Sequence, residues 1–265
     1  MPGPPGPLDL TVVVPFYNPG PALRPTVERV VAAVGAAGLA FEVVAVCDGA
    51  TDGSETTLDG LAPGVVRTLC YRPNRGKGFA VRTGMAEASG RLVAFIDADG
   101  DIAPEVLPEL MARAEETGAD IVYGSKRAKA AAPHLPWLRR AASSGYRLLV
   151  RALFDLDVPD TQTGVKLLRA EVARALVATM REERFAFDVE MFVLARRLGY
   201  GSFVEVPVRV DKRLRSTVSV REAGSILVDT IKLFFRFRVL GRSQPREGDA
   251  ADRRPRVPQK DVDPG

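Results

Sequence analysis

The sequence predicts an α/β protein built on an open, mostly parallel β-sheet with helices on both faces. Three observations predict this fold class. Short apolar runs rich in β-branched residues recur along the first half of the chain, as in strands that are buried on both faces. Segments with apolar residues at helical spacing separate these runs. Polar clusters follow the ends of the runs, which is where ligands bind in such sheets.

The first half of the chain alternates between predicted strands and helices. Apolar runs predict strands over residues 10–14, 41–46, 65–71, 92–96 and 121–123. Valines recur at helical spacing over residues 27–34, a second helix is predicted after Gly78, and a third over residues 104–116, where Pro104 suits a first helical turn.

The second half of the chain is predicted to form helices and one further strand. Helices are predicted over residues 137–153, 170–180 and 189–198, and a strand over residues 203–210. A last amphipathic helix is predicted over residues 220–240, where apolar residues alternate with lysine and arginine. Residues 1–9 and 241–265 are rich in proline and lack periodicity, so we expect a disordered leader and a disordered tail.

Composition and charge narrow the classes of partner. The net charge is only +4, but basic residues cluster over residues 209–221 and 232–242, which predicts contact with phosphate groups or a membrane surface. Neither cluster is interleaved with stacking aromatics in a recognisable nucleic-acid module, so we expect no nucleic acid. No signal peptide and no apolar run of about 18 residues is present, so a cytoplasmic protein that does not cross a membrane is expected.

Histidine and cysteine chemistry is almost excluded. His134 is the one histidine, which argues against a histidine metal site or a Ser-His-Asp triad. Cys47 and Cys70 each lie in a strand-like run, and reduced, buried thiols are the expected state.

Three aspartates follow the predicted strand 92–96. Side chains two residues apart in an extended segment point the same way, so Asp97, Asp99 and Asp101 are predicted to converge on one point. Like charges brought together need a cation, and carboxylate oxygens suit Mg²⁺ or Mn²⁺, which share themselves with substrate phosphates. A solvated acidic turn before the helix at Pro104 is the simpler alternative.

Two more strand ends carry polar groups. Asp48 is placed to accept hydrogen bonds from a nucleobase or ribose, or else to stabilise a turn. Residues 74–78 (NRGKG) precede a helix, so their amides and Lys77 are predicted to meet phosphate. The segment matches neither a P-loop nor a dinucleotide fingerprint, since Val81 stands where the third glycine belongs. A nicotinamide dehydrogenase is therefore disfavoured.

An ordered series of motifs carries a family resemblance over residues 10–240. The motifs are 15–18 (PFYN), 47–52 (CDGATD), 74–78 (NRGKG), 97–100 (DADG), 124–126 (GSK), 160–166 (DTQTGVK) and 185–190 (FAFDVE). The series resembles family 2 glycosyltransferases of the polyprenyl-phosphate branch. Within that branch it is most similar to dolichyl-phosphate β-glucosyltransferases and next to the mannose synthases.

The resemblance implies a GT-A fold with a nucleotide-sugar half over residues 10–125 and an acceptor half over residues 126–240. It implies inverting transfer of a hexose to polyprenyl or dolichyl phosphate by a metal-dependent enzyme. Glucose from UDP-glucose is favoured over mannose from GDP-mannose. The enzyme would be peripheral to the cytoplasmic face of a membrane, with the helix 220–240 as a candidate for membrane contact.

Site residues are carried over by position in the motifs. The expected donor-binding residues are Pro15, Tyr17, Val46, Asp48, Lys77, Asp97, Ala98, Asp99, Lys126 and Arg213. The expected acceptor-binding residues are Arg127, Asp160, Gln162 and Arg215. The expected metal ligands are Asp97, Asp99 and Asp101. The expected catalytic residues are Asp99, Asp188 and Glu190, the last two chiefly in orienting the acceptor, because a phosphate acceptor is largely dianionic at neutral pH and needs no general base.

Two alternatives stay open. The same fold with a sugar or protein hydroxyl acceptor would use Asp188 or Glu190 as a general base. A nucleotide-sugar-binding protein without turnover is the other, since Pro19 replaces the usual glutamate of the first motif and Cys47 replaces the first acid of an Asp-Asp pair.

Overall fold

A computed structural model of the protein describes residues 8–125, 137–208 and 220–240. Within these ranges seven strands form one sheet in the order β3-β2-β1-β4-β6-β5-β7. β6 is antiparallel to both of its neighbours, and the other strands run parallel to one another. The strands are β1 (Leu10–Phe16), β2 (Phe41–Asp48), β3 (Val66–Tyr71), β4 (Leu92–Ile96), β5 (Ile121–Ser125), β6 (Val165–Arg169) and β7 (Phe203–Pro207).

Helices cover both faces of the sheet and make two apolar cores. They are α1 (Leu23–Ala36), α2 (Lys77–Ala86), α3 (Leu107–Thr117), α4 (Trp137–Phe154), α5 (Ala170–Thr179), α6 (Phe187–Arg197) and α7 (Val220–Leu240). α1 and α3 pack on one face. α2, α5 and α6 pack on the other, and α4 and α7 contribute Val150, Leu233 and Phe237 to the same core. The predicted α/β fold class, with helices on both faces of a mostly parallel sheet, is confirmed.

Most predicted elements occur within a few residues of their predicted bounds, with one strand missed and one leader boundary wrong. β6 was not predicted, and it enters between β4 and β5 in the opposite direction. The predicted leader over residues 1–9 ends too late, because the Asp9 amide donates to the Ala40 carbonyl and the Leu92 amide donates to the Asp9 carbonyl. Residues 1–7 of that leader, and the predicted tail over residues 241–265, lie outside the described residues.

The last helix, α7, spans the residues predicted for it. Leu233 and Phe237 are buried, and Leu227, Val228, Ile231 and Phe235 are exposed. The Tyr146 hydroxyl of α4 lies 2.9 Å from the Thr230 hydroxyl, so the two helices pack on each other. None of the helices in the described ranges combines the length and apolar character that crossing a bilayer requires.

Candidate active site

The loops after β1 and β2 are tied together at the carboxyl edge of the sheet. The Thr51 amide donates to Oδ1 of Asn18 at 2.7 Å, and the Gly20 amide donates to the Asp52 carboxylate at 2.9 Å. Asn18 adopts a positive φ of 46°, which asparagine tolerates better than most residues. Predicted Pro15 and Val46 are register partners on β1 and β2. Both are buried, whereas Tyr17, which follows β1, is 53% exposed.

Asp48 closes the loop that precedes α2. Its Oδ1 accepts the Arg75 amide at 2.7 Å, and its Oδ2 accepts the Gly76 amide at 2.8 Å and the Asn74 side-chain amide at 2.9 Å. A carboxylate can accept about four hydrogen bonds. Three of those accepted by the Asp48 carboxylate come from this loop. Asp48 therefore fixes the turn that precedes Lys77. These contacts match the alternative interpretation of Asp48, in which its side chain stabilises a turn.

Lys77 and Asp97 form an ion pair where α2 meets the end of β4. Nζ of Lys77 lies 2.5 Å from Oδ1 of Asp97, and both side chains are about one quarter exposed (22% and 26%). Burial lowers the pKa of Lys77, but the nearby carboxylates of Asp97, Asp188 and Asp99 outweigh it, so the net shift is upward. The ammonium stays charged at neutral pH beside the predicted diphosphate position.

A glycine backs the other side of Asp97. The Asp97 amide donates to the Gly164 carbonyl at 3.0 Å. A methyl group on Gly164 would lie 2.1 Å from Oδ2 of Asp97, so no larger residue fits without moving the carboxylate. The backbone of residue 164 thus approaches Asp97 as closely as it does because it carries no side chain.

The predicted convergence of three carboxylates is wrong. The prediction assumed extended backbone, but the chain turns after Asp97 and Gly100 adopts φ 73°. Asp99 is exposed and accepts the Asp101 amide at 3.0 Å, whereas Asp101 is buried. Across the described residues no three His, Cys, Asp or Glu side chains group closely enough to hold a metal ion.

Asp97 and Asp99 still suit a metal shared with a substrate. They offer hard oxygen donors at a strand end, Asp99 is open to solvent, and Lys77 shows that a cation is accommodated beside Asp97. Mg²⁺ and Mn²⁺ commonly take one or two carboxylates and complete their coordination with phosphate oxygens and water. The residues present therefore fit such an ion, held by two carboxylates instead of three.

A second, fully buried ion pair lies behind this edge. Nζ of Lys166 donates to Oδ1 of Asp188 at 2.6 Å and to the Thr163 carbonyl at 2.8 Å. Lys166 has no exposed surface and Asp188 is 4% exposed. Burial raises the pKa of Asp188, although Lys166 and Lys77 act in the opposite direction.

Glu190 contacts a different part of the chain. Its carboxylate accepts the amides of Arg181 at 3.1 Å and Glu182 at 2.7 Å, and it also pairs with the Arg236 guanidinium of α7. Glu190 is only 1% exposed. It joins the loop before α6 to the C-terminal helix, whereas Asp188 faces Lys166.

The remaining predicted residues divide between the described and undescribed parts of the chain. Ala98 is buried, Asp160 is half-buried and Gln162 is exposed on the loop that leads into β6. Lys126, Arg127, Arg213 and Arg215 lie outside the described residues. Sequence reasoning assigned no role to Lys166 or Gly164, although both lie inside a quoted motif. The signal available was a lysine within the apolar run of residues 165–168 (VKLL), where a charge requires a buried partner.

Comparison with known protein families identifies the family of this chain. Residues 11–177, more than half of the chain, match the family described as glycosyl transferase family 2. The chain belongs to glycosyltransferase family 2. The matched residues include β1 to β6, together with Asp48, Lys77, Asp97 and Lys166. The order of the motifs in the sequence predicted this family.

Curated relatives of this chain include dolichyl-phosphate β-glucosyltransferases. That of Drosophila melanogaster is 32% identical over 207 residues, which cover 72% of this chain and 64% of the relative. That of Dictyostelium discoideum is 29% identical over 212 residues, which cover 71% of this chain and 62% of the relative. The chain thus spans less than two thirds of the length of these relatives.

Solved structures confirm the GT-A fold. Glucosyl-3-phosphoglycerate synthase from Mycobacterium tuberculosis, in complex with UDP, superposes with a TM-score of 0.64 at 20% identity, covering 91% of this chain and 82% of that one. The same synthase with Mn²⁺, UDP and glucosyl-3-phosphoglycerate has a TM-score of 0.63 at 22% identity, with the same coverage. Mannosyl-3-phosphoglycerate synthase from Rubrobacter xylanophilus has a TM-score of 0.62 at 16% identity, covering 91% of this chain and 78% of that one.

Proposed function

We propose that this glycosyltransferase transfers a hexose from a nucleotide diphosphate sugar to a polyprenyl phosphate, with inversion at the sugar carbon. Glucose from UDP-glucose is favoured over mannose from GDP-mannose. Two relatives whose names specify dolichyl phosphate and glucose support both choices. The reaction is a single displacement in which an acceptor phosphate oxygen attacks the sugar and the nucleoside diphosphate leaves.

The choice of a phosphate acceptor rests on the hydrogen bonds made by the two candidate general bases, Asp188 and Glu190. Asp188 is hydrogen-bonded to the buried Lys166, and Glu190 is bonded to two backbone amides and Arg236. A hydroxyl acceptor needs a carboxylate that is free to take its proton. A phosphate acceptor has a second pKa of about 6 and arrives already deprotonated at neutral pH. Two engaged carboxylates therefore favour a phosphate, and we assign Asp188 an orienting role.

Residues at the carboxyl edge bind and orient the donor in this proposal. Asp48 holds the loop that presents Lys77, and the Lys77 ammonium contacts the diphosphate once the donor shares the site with Asp97. The exposed Tyr17 would cover the nucleoside, and its neighbours Pro15 and Val46 would support it from the ends of β1 and β2.

A divalent ion, Mg²⁺ or Mn²⁺, completes the donor site. Asp97 and Asp99 would hold it, and the bound ion supplies a Lewis acid for the charge that develops on the leaving diphosphate. Mn²⁺ accompanies UDP in a structural neighbour of this fold. The role of the chain itself is to place the two carboxylates and Lys77 on one side of the diphosphate.

On the acceptor side, the half-buried Asp160 and the exposed Gln162 orient the polyprenyl phosphate. Four basic residues supply cations for the phosphates of donor and acceptor: Lys126, Arg127, Arg213 and Arg215. The exposed apolar side chains of α7 would rest on the cytoplasmic face of a membrane, beside Lys232 and Arg238. A lipid-linked acceptor makes this peripheral contact useful.

The test is a donor and acceptor screen. Purified chain is incubated with radiolabelled UDP-glucose or GDP-mannose, with Mg²⁺ or Mn²⁺, and with polyprenyl phosphate or unphosphorylated polyprenol. We expect labelled lipid from UDP-glucose and polyprenyl phosphate only, with loss of product when a chelator is added. Asp97→Asn, which keeps the shape of the side chain but removes its charge, provides the matched inactive control.

Each other result changes a specific part of the proposal. Labelled lipid from GDP-mannose alone would change the sugar. Label in a sugar or protein hydroxyl, with none in lipid, would contradict the phosphate acceptor. Release of nucleoside diphosphate from neither donor would favour the binding protein without turnover.

A further inference from the structure

A lysine occupies the middle of the sheet, where apolar side chains are the norm. Lys166 lies on β6 between Phe95 of β4 and Tyr123 of β5, and none of its surface is exposed. Removing a charge from water costs several kcal/mol even when it is paired, and an apolar pair of similar volume is often neutral or stabilising. The buried charge is therefore not explained by packing alone.

The contacts of Lys166 connect two segments that border the donor site. Its ammonium holds the carbonyl of Thr163, the residue just before Gly164, and holds Asp188 at the start of α6. Phe95 and Phe192 turn ring faces toward the ammonium, with centroids 5.1 Å and 5.9 Å away. The Lys166 ammonium is thus enclosed by the Thr163 carbonyl, the Asp188 carboxylate and two aromatic rings.

Both segments lead directly to the Lys77–Asp97 pair. Gly164 accepts the Asp97 amide and leaves no space behind the Asp97 carboxylate. Phe187, next to Asp188, packs with its ring centroid 5.8 Å from Nζ of Lys77. A shift of the Thr163 carbonyl or of Asp188 is therefore transmitted to Asp97 or to Lys77 through one residue.

We propose that Lys166 is a positioning residue, which holds residues 163–164 against Asp97 and so sets the direction of the carboxylate that receives the metal and diphosphate. The proposal rests on the proposed function for the identity of the ligand, and on the contacts above for the role of Lys166. Partners that orient a metal-binding side chain typically contribute about 10- to 100-fold in metal affinity.

The test compares Lys166→Met, which approximates the length of lysine without its charge, with the double variant Lys166→Met/Asp188→Asn. The double variant removes the carboxylate that the single change would leave unpaired, so it is expected to fold even if the single variant does not. The matched control is Arg169→Met, which breaks the Arg169–Asp120 pair at the far end of the same strand.

Two readouts are used on each variant. The first is Mn²⁺ affinity in the presence of UDP, followed by the electron paramagnetic resonance of free Mn²⁺. The second is hydrogen exchange of the Asp97 amide in the metal-free chain. We expect the Lys166 variants to bind Mn²⁺ at least about tenfold more weakly and to exchange the Asp97 amide faster. Arg169→Met should match the wild type in both, whatever its melting temperature.

A folded Lys166 variant with wild-type Mn²⁺ affinity and wild-type exchange at Asp97 would overturn the positioning role. If that variant also makes lipid product at the wild-type rate, the proposed function stands and this inference alone is lost. Conversely, faster exchange at Asp97 and weaker Mn²⁺ binding in a chain that glycosylates no lipid would support the positioning role and contradict the proposed acceptor.

Discussion

Nζ of Lys77 lies 2.5 Å from Oδ1 of Asp97, so the first residue of α2 is joined to the residue that follows β4. Neighbouring carboxylates keep the pKa of Lys77 raised, so the cation persists over the whole neutral range. A diphosphate entering this edge meets a positive charge that is already in place, with no side chain to be recruited from solvent.

Replacing that cation should weaken catalysis more than it weakens folding. In Lys77→Met, loss of one charge-assisted contact to the diphosphate is expected to reduce kcat/KM for the donor by about 10- to 100-fold, the equivalent of ~1.5–3 kcal/mol. Steady-state kinetics with a varied donor measure this. Arg113→Met, which removes an exposed i,i+3 pair with Glu116, is the control and should leave kcat/KM unchanged. An unaltered kcat/KM in Lys77→Met would remove Lys77 from the donor site.

The tight approach at residue 164 makes a single methyl group a sharp probe. In Gly164→Ala the new carbon would lie 2.1 Å from Oδ2 of Asp97, so the carboxylate must move. A displacement of about 1 Å at a reacting centre typically costs about 100-fold in rate, and we expect a loss of that order in kcat. Gly201→Ala, where a methyl group meets nothing within 4 Å, is the control. Wild-type kcat in a folded Gly164→Ala chain would show that Asp97 does not depend on this contact.

Thiol chemistry offers a test on the edge strand β3. Cys70 is exposed on the edge strand β3, opposite Cys47 on β2, and both are free thiols. Although the residue as a whole is exposed, partial burial of its sulfur and the contact with Cys47 raise the pKa of Cys70 to about 12. Alkylation of Cys70 by iodoacetamide, followed by mass spectrometry, should therefore be slow at about pH 8 and still accelerating above about pH 10. Cys47→Ala should shift this profile to lower pH, and an ordinary thiol profile in the wild-type chain would contradict the assignment.

Stability toward acid should depend on Glu42, a buried carboxylate of β2. Burial raises its pKa, but the Ser89 amide, the Thr11 hydroxyl and Arg67 outweigh this and lower it. A depressed pKa means that the stabilisation is present above the unfolded value of about 4.3 and is lost as pH falls through the folded value.

Glu42→Gln should accordingly lower the free energy of unfolding by about 1–3 kcal/mol near neutral pH, measured by urea denaturation. The difference from the wild type should shrink as the solution is acidified below about pH 4. Glu28→Gln, at an exposed i,i+4 pair with Arg24, should cost under about 0.5 kcal/mol at either pH. A gap between Glu42→Gln and the wild type that widens in acid would reverse the sign of the assignment.

Periodicity predicted the parts of this molecule in which local pattern and burial agree. α7 occupies its predicted range, and its buried residues Thr230, Leu233 and Phe237 recur at helical spacing. β6 was not predicted because it is only five residues long and contains a charged residue, Lys166. The buried charge is stabilised by Asp188, which lies 22 residues away in the sequence, and by the backbone carbonyl of Thr163. Strands of that kind are defined by their partners more than by their own pattern.

The candidate site shows the same division. The sequence predicted that Asp97 and Asp99 follow a strand, but it also predicted a convergence with Asp101 that does not occur, because the backbone turns at Gly100. The role of Gly164 depended on a hydrogen bond that crosses from one half of the chain to the other. Only Val189 separates Asp188 from Glu190, yet their contacts differ because Asp188 pairs with Lys166 and Glu190 pairs with Arg236.

The direction of β6 has a consequence for how the protein is made. β4 is paired on one side with β1 and on the other only with β6, which leaves the ribosome about 70 residues later. Until then the fully apolar β4 presents an unpaired edge, the kind of surface that recruits other chains. A nascent chain from which residues 165–169 have not yet emerged therefore keeps this edge of β4 open to other chains, and emergence of those five residues covers it.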